Sequence, residues 1–205
     1  MSNETRIKAA IFDLGRVLID IDVSRGIFAF FAEQFGDNPQ AVVRKLSTDD
    51  LITRYNTGRI SPEQFHKALC DKFGLKITFQ RFARLWCDIL SPVPGMHELV
   101  KEINGRVCLG LLSDTDPLHW NYIIRKYRML RYFRNPTLSY KIGSVKPSAE
   151  SYLAAAKNVN TPLNACLYID DLAGNVEGAR SLGMDAIQFA GVTKLREELA
   201  ARGIL

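Results

Sequence analysis

Three apolar runs of strand length, each followed within two residues by an aspartate, constrain the fold of this chain more than any other feature. The runs cover residues 7–12, 107–112 and 165–169. The polar residues that follow them are Asp13, Ser113 with Asp114, and Asp170 with Asp171. A carboxylate at the end of a buried strand is costly unless it has a partner or a function. If the three strands are parallel neighbours, these polar ends meet at one edge of one sheet, where open α/β sheets bind ligands.

Helical and strand patterns alternate in the second half of the chain. Apolar spacing predicts helices over residues 96–103, 117–130, 148–159, 176–182 and 193–201. Strand patterns cover residues 107–112, 137–140, 165–169 and 186–189. Alternation of this kind, with right-handed crossovers, predicts an α/β fold with a doubly wound, mostly parallel sheet.

Residues 24–89 lack any strand pattern and are expected to form a helical insert. After a possible extended segment over residues 17–19, Ser24 or Asp22 is expected to cap its first helix, which stops at Gly36. Further helices are predicted over residues 39–46, 49–55 and 78–90, and Ser61-Pro62-Glu63-Gln64 has the pattern of a helix start. The Pro-rich segment 91–95 cannot continue a helix. We therefore predict a core of residues 1–21 and 93–205 with a helical insert at 22–92.

The composition is that of an ordinary soluble globular protein. Of 205 residues, 47% are hydrophobic and 24% charged, and no apolar run is long enough for a signal peptide or a membrane span. The four cysteines are scattered singly, which favours reduced thiols, and we expect a cytoplasmic protein without a membrane partner. The net charge is +5, but the basic segment 125–134 also has apolar residues near helical spacing. A solvated helix face explains that segment, so we expect no nucleic-acid partner.

Four short segments together carry a resemblance to a known family. They are Asp13-Leu14-Gly15, Leu112-Ser113-Asp114-Thr115, Gly143-Ser144-Val145-Lys146-Pro147, and Ile169-Asp170-Asp171 followed by Gly174-Asn175. In this order the set resembles the haloacid dehalogenase (HAD) superfamily of phosphohydrolases, and the helical block resembles that family's C1 cap. The closest subgroup contains bacterial α-glucose-1-phosphate phosphatases. The resemblance implies a HAD/Rossmann-like core.

The resemblance also implies a role for each site residue. Asp13 would be the nucleophile and a Mg²⁺ ligand, the backbone carbonyl of Gly15 a second ligand, and Asp171, with Asp170 beside it, would complete the metal site. Lys146 would neutralise the charge of the phosphoryl group and the nucleophile. Ser113, with backbone N–H groups at the start of the following helix, would hold the non-bridging phosphate oxygens, so the catalytic set would be Asp13, Ser113 and Lys146. The substrate-binding set would be Gly15, Ser113, Asp114 and Lys146.

The chemistry implied is hydrolysis of a small phosphorylated metabolite, such as a sugar phosphate, through an aspartyl-phosphate. A divalent cation suits this reaction because it offsets the repulsion between a carboxylate and a phosphate dianion. We expect a monomer or weak homodimer.

The sequence departs from the family at residue 15. Most phosphatases of this superfamily have an acid/base Asp where this chain has Gly15, and loss of such a group removes roughly a hundred- to ten-thousand-fold of rate. Asp20, Asp22 or Asp114 could substitute for it, and the resembled subgroup also has Gly there. A phospholigand-binding regulatory protein with weak turnover is the first alternative, and a haloacid dehalogenase is the second.

Each site residue also has a simpler explanation. Lys146 could be a solvated loop lysine, Ser113 a helix cap, and the segment 170–175 a turn with a capping carboxylate. His119 is at least as well explained by helix packing as by a substrate contact.

Overall fold

A five-stranded parallel sheet forms the centre of the protein. The computed structural model describes residues 6–36, 38–47 and 49–205. The sheet strands are β1 (Ala9–Phe12), β4 (Cys108–Ser113), β5 (Thr137–Leu138), β6 (Cys166–Asp170) and β7 (Asp185–Gln188). Their spatial order is β5-β4-β1-β6-β7. A separate antiparallel pair consists of β2 (Ile19–Ile21) and β3 (Leu90–Pro92). The predicted α/β class with a doubly wound parallel sheet is confirmed.

Eleven α-helices lie within the described residues. Five of them precede β3: α1 (Gly26–Phe35), α2 (Pro39–Ser47), α3 (Asp50–Asn56), α4 (Pro62–Phe73) and α5 (Phe79–Cys87). Six follow it: α6 (Met96–Ile103), α7 (Pro117–Lys126), α8 (Ser139–Ile142), α9 (Ala149–Asn158), α10 (Ala173–Ser181) and α11 (Val192–Ala201). Short 3₁₀ segments cover Arg128–Tyr132 and Leu163–Ala165. No helix in the described part of the chain is long and apolar enough to cross a membrane.

The apolar interior divides into three clusters. Alternate residues of β1 face opposite sides of the sheet, so Ala10 and Phe12 join one cluster and Ala9 and Ile11 join another. The third cluster comes from α1–α5 and the turns between them, and Tyr55, Phe65 and Phe82 are fully buried there. This separate cluster supports the division into residues 1–21 with 93–205 and residues 22–92, which stays a prediction.

Several local predictions were wrong. Neither Ser24 nor Asp22 caps α1, since its N-cap is Arg25 without a side-chain hydrogen bond, and the Asp22 carboxylate accepts from Ser24 instead. The predicted helix 117–130 ends at Lys126, and its apolar residues continue into the 3₁₀ segment. The helix predicted at 78–90 ends at Cys87, and the helix predicted at 176–182 begins at Ala173. The strand predicted at 137–140 ends at Leu138, where a short helix replaces it, and the extended segment predicted at 17–19 lies instead at Ile19–Ile21.

Candidate active site

The strand register brings the predicted polar residues to one edge of the sheet. Phe12 of β1 is level with Leu111 of β4 and with Ile169 of β6. Because all three strands are parallel, the next residue, Asp13, leaves the sheet level with Asp170. This edge holds the carboxyl ends of the strands, where a doubly wound sheet forms its ligand crevice.

Lys146 lies between two of these carboxylates. Its Nζ donates to Asp13 Oδ1 at 2.6 Å and to Asp170 Oδ2 at 2.9 Å, and its side chain is only 3% exposed. The chain reaches this position after α8, where Gly143 adopts φ 73° and turns the backbone toward the site. The Lys146 backbone N–H also donates to the Asp114 carboxylate, at 3.1 and 3.2 Å from its two oxygens. Lys146 is therefore a buried counter-ion and not a solvated loop lysine.

Asp170 is fully buried, and donors surround its carboxylate. Oδ1 accepts from the Leu172 backbone N–H at 2.8 Å and from Asn175 Nδ2 at 3.1 Å. Oδ2 accepts from Lys146, from Asn175 Nδ2 at 3.0 Å and from the Tyr168 hydroxyl at 2.5 Å. A carboxylate has about four lone-pair positions, so these donors already occupy the hydrogen-bond acceptor positions of Asp170.

Asp171 has a different environment, although it is the next residue. Its side chain is 20% exposed, and Arg16 NH1 lies 4.0 Å from its Oδ2. Ligand atoms of Asp13, Asp170 and Asp171 all lie within 4.8 Å of one another, so this cluster could hold a metal ion. Carboxylate oxygens are hard ligands of the type that Mg²⁺ prefers.

The charges of the cluster do not balance. Burial raises the pKa of Asp13 to about 7, even though the Lys146 ammonium acts in the opposite direction. Burial alone would lower the pKa of Lys146, but the charges of Asp13 and Asp170 raise it above its ordinary value. The three carboxylates and one ammonium carry two net negative charges when all are ionised. A divalent cation would neutralise them.

Two adjoining cavities open beside the cluster. The larger, about 210 Å³, is lined by Asp13, Gly15, Arg16, Ile21, Asp114, Lys146, Asp171, Leu172 and Asn175. The smaller, about 60 Å³, shares Gly15, Ile21 and Asp114 with it and adds Ser113, Thr115 and His119 together with apolar residues. Gly15 is at their boundary, and a Cβ added to it would lie 3.3 Å from Ile21 Cδ1. The combined volume of the two cavities suits a small ligand.

Of the aspartates that could replace an acid at position 15, Asp114 is the one that lines these cavities. Asp20 is exposed on β2 and accepts from the adjacent backbone N–H, while Asp22 is bonded to Ser24. The pKa of Asp114 is raised, because burial outweighs the opposing charge of Lys146. His119 also borders the smaller cavity, but both of its ring nitrogens are within hydrogen-bond distance of protein acceptors.

Every predicted site residue except Asp170 lines one of the two cavities, and Asp170 is buried in contact with Lys146. Ser113 is buried and is not the cap of α7, because Asp116 has that position. Sequence reasoning missed Tyr168 and Asn175 as partners of Asp170. Tyr168 could have been found, because it lies two residues before Asp170 and so faces the same side of β6.

Comparison with known proteins gives related enzymes over nearly the whole chain. A family model for haloacid dehalogenase-like hydrolases matches residues 7–183. The chain is 24% identical to D-ribitol-5-phosphate phosphatase of Bacteroides thetaiotaomicron, over 94% of this chain and 97% of the relative. It is 26% identical to 6-phosphogluconate phosphatase of Escherichia coli, over 90% and 83% of the two chains.

Solved structures share the fold. A HAD family enzyme from Bacteroides thetaiotaomicron, in complex with magnesium and inorganic phosphate, matches with a TM-score of 0.79 at 24% identity, over 90% of this chain and 95% of that chain. L-2-haloacid dehalogenase from Xanthobacter autotrophicus matches with a TM-score of 0.66 at 19% identity, over 97% and 84%. At these identities the structural similarity shows the fold alone.

Proposed function

The chain belongs to the haloacid dehalogenase-like hydrolase family, and we propose that it is a Mg²⁺-dependent phosphatase of small phosphorylated metabolites. The observation that carries the proposal is the contact of buried Lys146 with both Asp13 and Asp170, next to the more exposed Asp171. Relatives that act on ribitol 5-phosphate and 6-phosphogluconate support a sugar-phosphate or polyol-phosphate substrate. The small cavities support the same size class.

The donor set suits magnesium. Asp13 and Asp171, with the backbone carbonyl of Gly15, would hold the ion, and Asp170 would hold Lys146 and the turn after β6 in place. This division follows from hydrogen bonding, because the oxygens of Asp170 are already occupied while Asp171 faces the cavity. The bound ion would supply a positive charge that offsets repulsion between a carboxylate and a phosphate dianion.

The chain's own residues account for the covalent steps. An Asp13 oxygen attacks phosphorus, the bond from phosphorus to the ester oxygen breaks, and the leaving alkoxide takes a proton. Water then attacks the aspartyl-phosphate, which releases phosphate and regenerates Asp13. Lys146 opposes the effect of burial on the pKa of Asp13 and so favours the ionised form that the first step needs. Asp114 is the cavity residue assigned to the proton transfers, because Gly15 has no side chain and both nitrogens of His119 are engaged.

Phosphate release from a metabolite panel, with magnesium or with a chelator, tests the proposal. We expect release only with magnesium, and none from Asp13→Asn. Asp20→Asn is the matched control, since it removes an exposed carboxylate outside the cavities and should retain activity. Binding of phosphate esters without release would favour the regulatory alternative. Halide release from a 2-haloacid in the presence of chelator would favour the dehalogenase.

A further inference from the structure

A buried carboxylate outside the metal cluster joins helix α7 to the helical insert. Asp116 caps α7, because its Oδ1 accepts from the backbone N–H groups of Leu118 at 2.9 Å and His119 at 3.0 Å. Its Oδ2 accepts from Trp86 Nε1, on α5, at 3.0 Å and lies 2.8 Å from His119 Nδ1. One carboxylate therefore holds both the first turn of α7 and a side chain of the insert.

His119 also links α7 to Trp86, through the ring nitrogen that does not face Asp116. Its Nε2 lies 2.7 Å from the Trp86 carbonyl oxygen, and its ring stacks on the indole with centroids 5.2 Å apart and planes 8° apart. Trp86 is in the last turn of α5, where carbonyls lack intrahelical partners. Both imidazole nitrogens thus face acceptors. A neutral imidazole has one N–H and can satisfy one of them, whereas the protonated ring satisfies both.

Local electrostatics favour the charged pair. Burial alone would lower the pKa of His119, but the charge and hydrogen bond of Asp116 raise it above its ordinary value. Burial alone would raise the pKa of Asp116, and His119 lowers it. The other titratable groups around the pair are Tyr55 on α3, Cys87 on α5, Tyr140 on α8, and Asp114 on the same cavity. Burial raises the pKa values of the two tyrosines and of the thiol, so these three are neutral near pH 7.

Asp116 is joined in sequence to the turn 113–115, which lines the active-site cavities. Asp116 directly follows Thr115, whose backbone N–H donates to Ser139 Oγ at 2.9 Å. The insert contacts this region at a second point, because Gly58 packs so closely on Tyr140 that an added Cβ would lie 2.2 Å from its carbonyl oxygen. Displacement of the insert would therefore disturb residues 113–115.

We propose that Asp116 and His119 form a protonation-dependent latch that docks Trp86 on α7 and so keeps the 113–115 turn in position for turnover. Loss of the His119 proton removes one of the two contacts and loosens the docking. Both are positioning residues, and the turnover part of the proposal rests on the proposed phosphatase function.

Tryptophan fluorescence tests the latch without any activity measurement. The chain has two tryptophans, so Trp120→Phe leaves Trp86 as the sole emitter. A protonated imidazole stacked on indole quenches its emission. We expect emission to rise in one step as pH increases above the ordinary imidazole range, and the step to vanish when His119→Gln is added. His97→Gln, an exposed histidine, is the matched control and should keep the step. A missing step, or one that survives His119→Gln, overturns the latch.

Turnover across the same pH window tests the coupling. We expect kcat to fall about tenfold over the emission step with little change in KM, and His119→Gln to have a low kcat that is flat across this window. Leu69→Ala weakens the same insert interior without removing a polar contact of Trp86, Asp116 or His119, and it should keep the wild-type pH profile. An emission step without this kcat change overturns the coupling. A step in a protein that hydrolyses no phosphate ester supports the latch and contradicts the proposed function.

Discussion

Replacement of Lys146 by methionine should destabilise the protein in a strongly pH-dependent way. The substitution keeps an apolar stem but leaves the Asp13 and Asp170 carboxylates, whose side chains are 10% and 0% exposed, without their ammonium partner. Removal of one partner from a buried ion pair costs about 3–5 kcal/mol. The cost cannot exceed the free energy of protonating the carboxylate, because the protonated carboxyl carries no charge.

This upper limit on the cost depends on the pH, because protonation becomes easier as pH falls. Protonation of a carboxyl with an unfolded pKa of about 3.9 costs about 4 kcal/mol at pH 7 and about 1.5 kcal/mol at pH 5. Asp170 sets most of this penalty, since the pKa of Asp13 is already about 7 beside Lys146. In the variant the folded pKa of Asp170 rises above its unfolded value. The penalty is therefore present above the unfolded pKa and shrinks as pH falls toward it.

Urea denaturation without magnesium at the two pH values measures the effect. We expect Lys146→Met to lose about 3 kcal/mol at pH 7, somewhat below the upper limit because Tyr168 and Asn175 still donate to Asp170, and about 1 kcal/mol at pH 5. Lys141→Met, an exposed lysine nearby, should change stability little at either pH. A loss below about 1 kcal/mol at pH 7, or an equal loss at both pH values, would refute the counter-ion argument.

Three further predictions concern the cavity, the docking of the insert and the metal. Gly15→Asp should lower kcat/KM about tenfold, because its Cβ crowds Ile21 and its charge joins an acidic site, and Ile21→Ala should relieve part of the loss in steady-state assays. Gly58→Ala should lower the melting temperature by several degrees in calorimetry, since φ is 70° and the new Cβ would overlap the Tyr140 carbonyl; an unchanged value would contradict the close contact. Magnesium should raise the melting temperature of the wild type but not of Asp171→Asn, and an equal rise in both would exclude Asp171 as a ligand.

The sequence predicted the parallel sheet and the edge where its polar residues meet, because both depend on short segments of the chain. The apolar runs that precede Asp13, Ser113 with Asp114, and Asp170 converge at one edge if the strands are parallel neighbours, and the structure shows this pairing. The ends of the helices were predicted less well. Residues 117–130 have helical apolar spacing throughout, but α7 stops at Lys126 and a 3₁₀ segment follows, which sequence spacing does not distinguish from a longer helix.

Partnerships over long sequence separations were not predictable. Trp86, Asp116 and His119 belong to elements whose docking depends on the whole insert, and a tryptophan at helical spacing is usually a core residue. Trp86 is a core residue and also a docking residue. Its ring packs in the insert cluster, its indole N–H donates to Asp116 at the N-cap of α7, and its carbonyl oxygen contacts His119. Amphipathic spacing identifies a buried face but not the partner of its polar atoms.

The pleat of β6 explains how two adjacent aspartates can have different roles. Tyr168 and Asp170 share one face of the strand, and there Asp170 meets the Tyr168 hydroxyl and the Lys146 ammonium. Asp171 follows the last strand residue, so it leaves the sheet edge toward the cavity, with Arg16 at 4.0 Å. A single acidic residue here could not fix Lys146 inside the protein and also face a ligand outside it. The pair separates the two tasks, and its buried member sets the position of the lysine that contacts the proposed nucleophile.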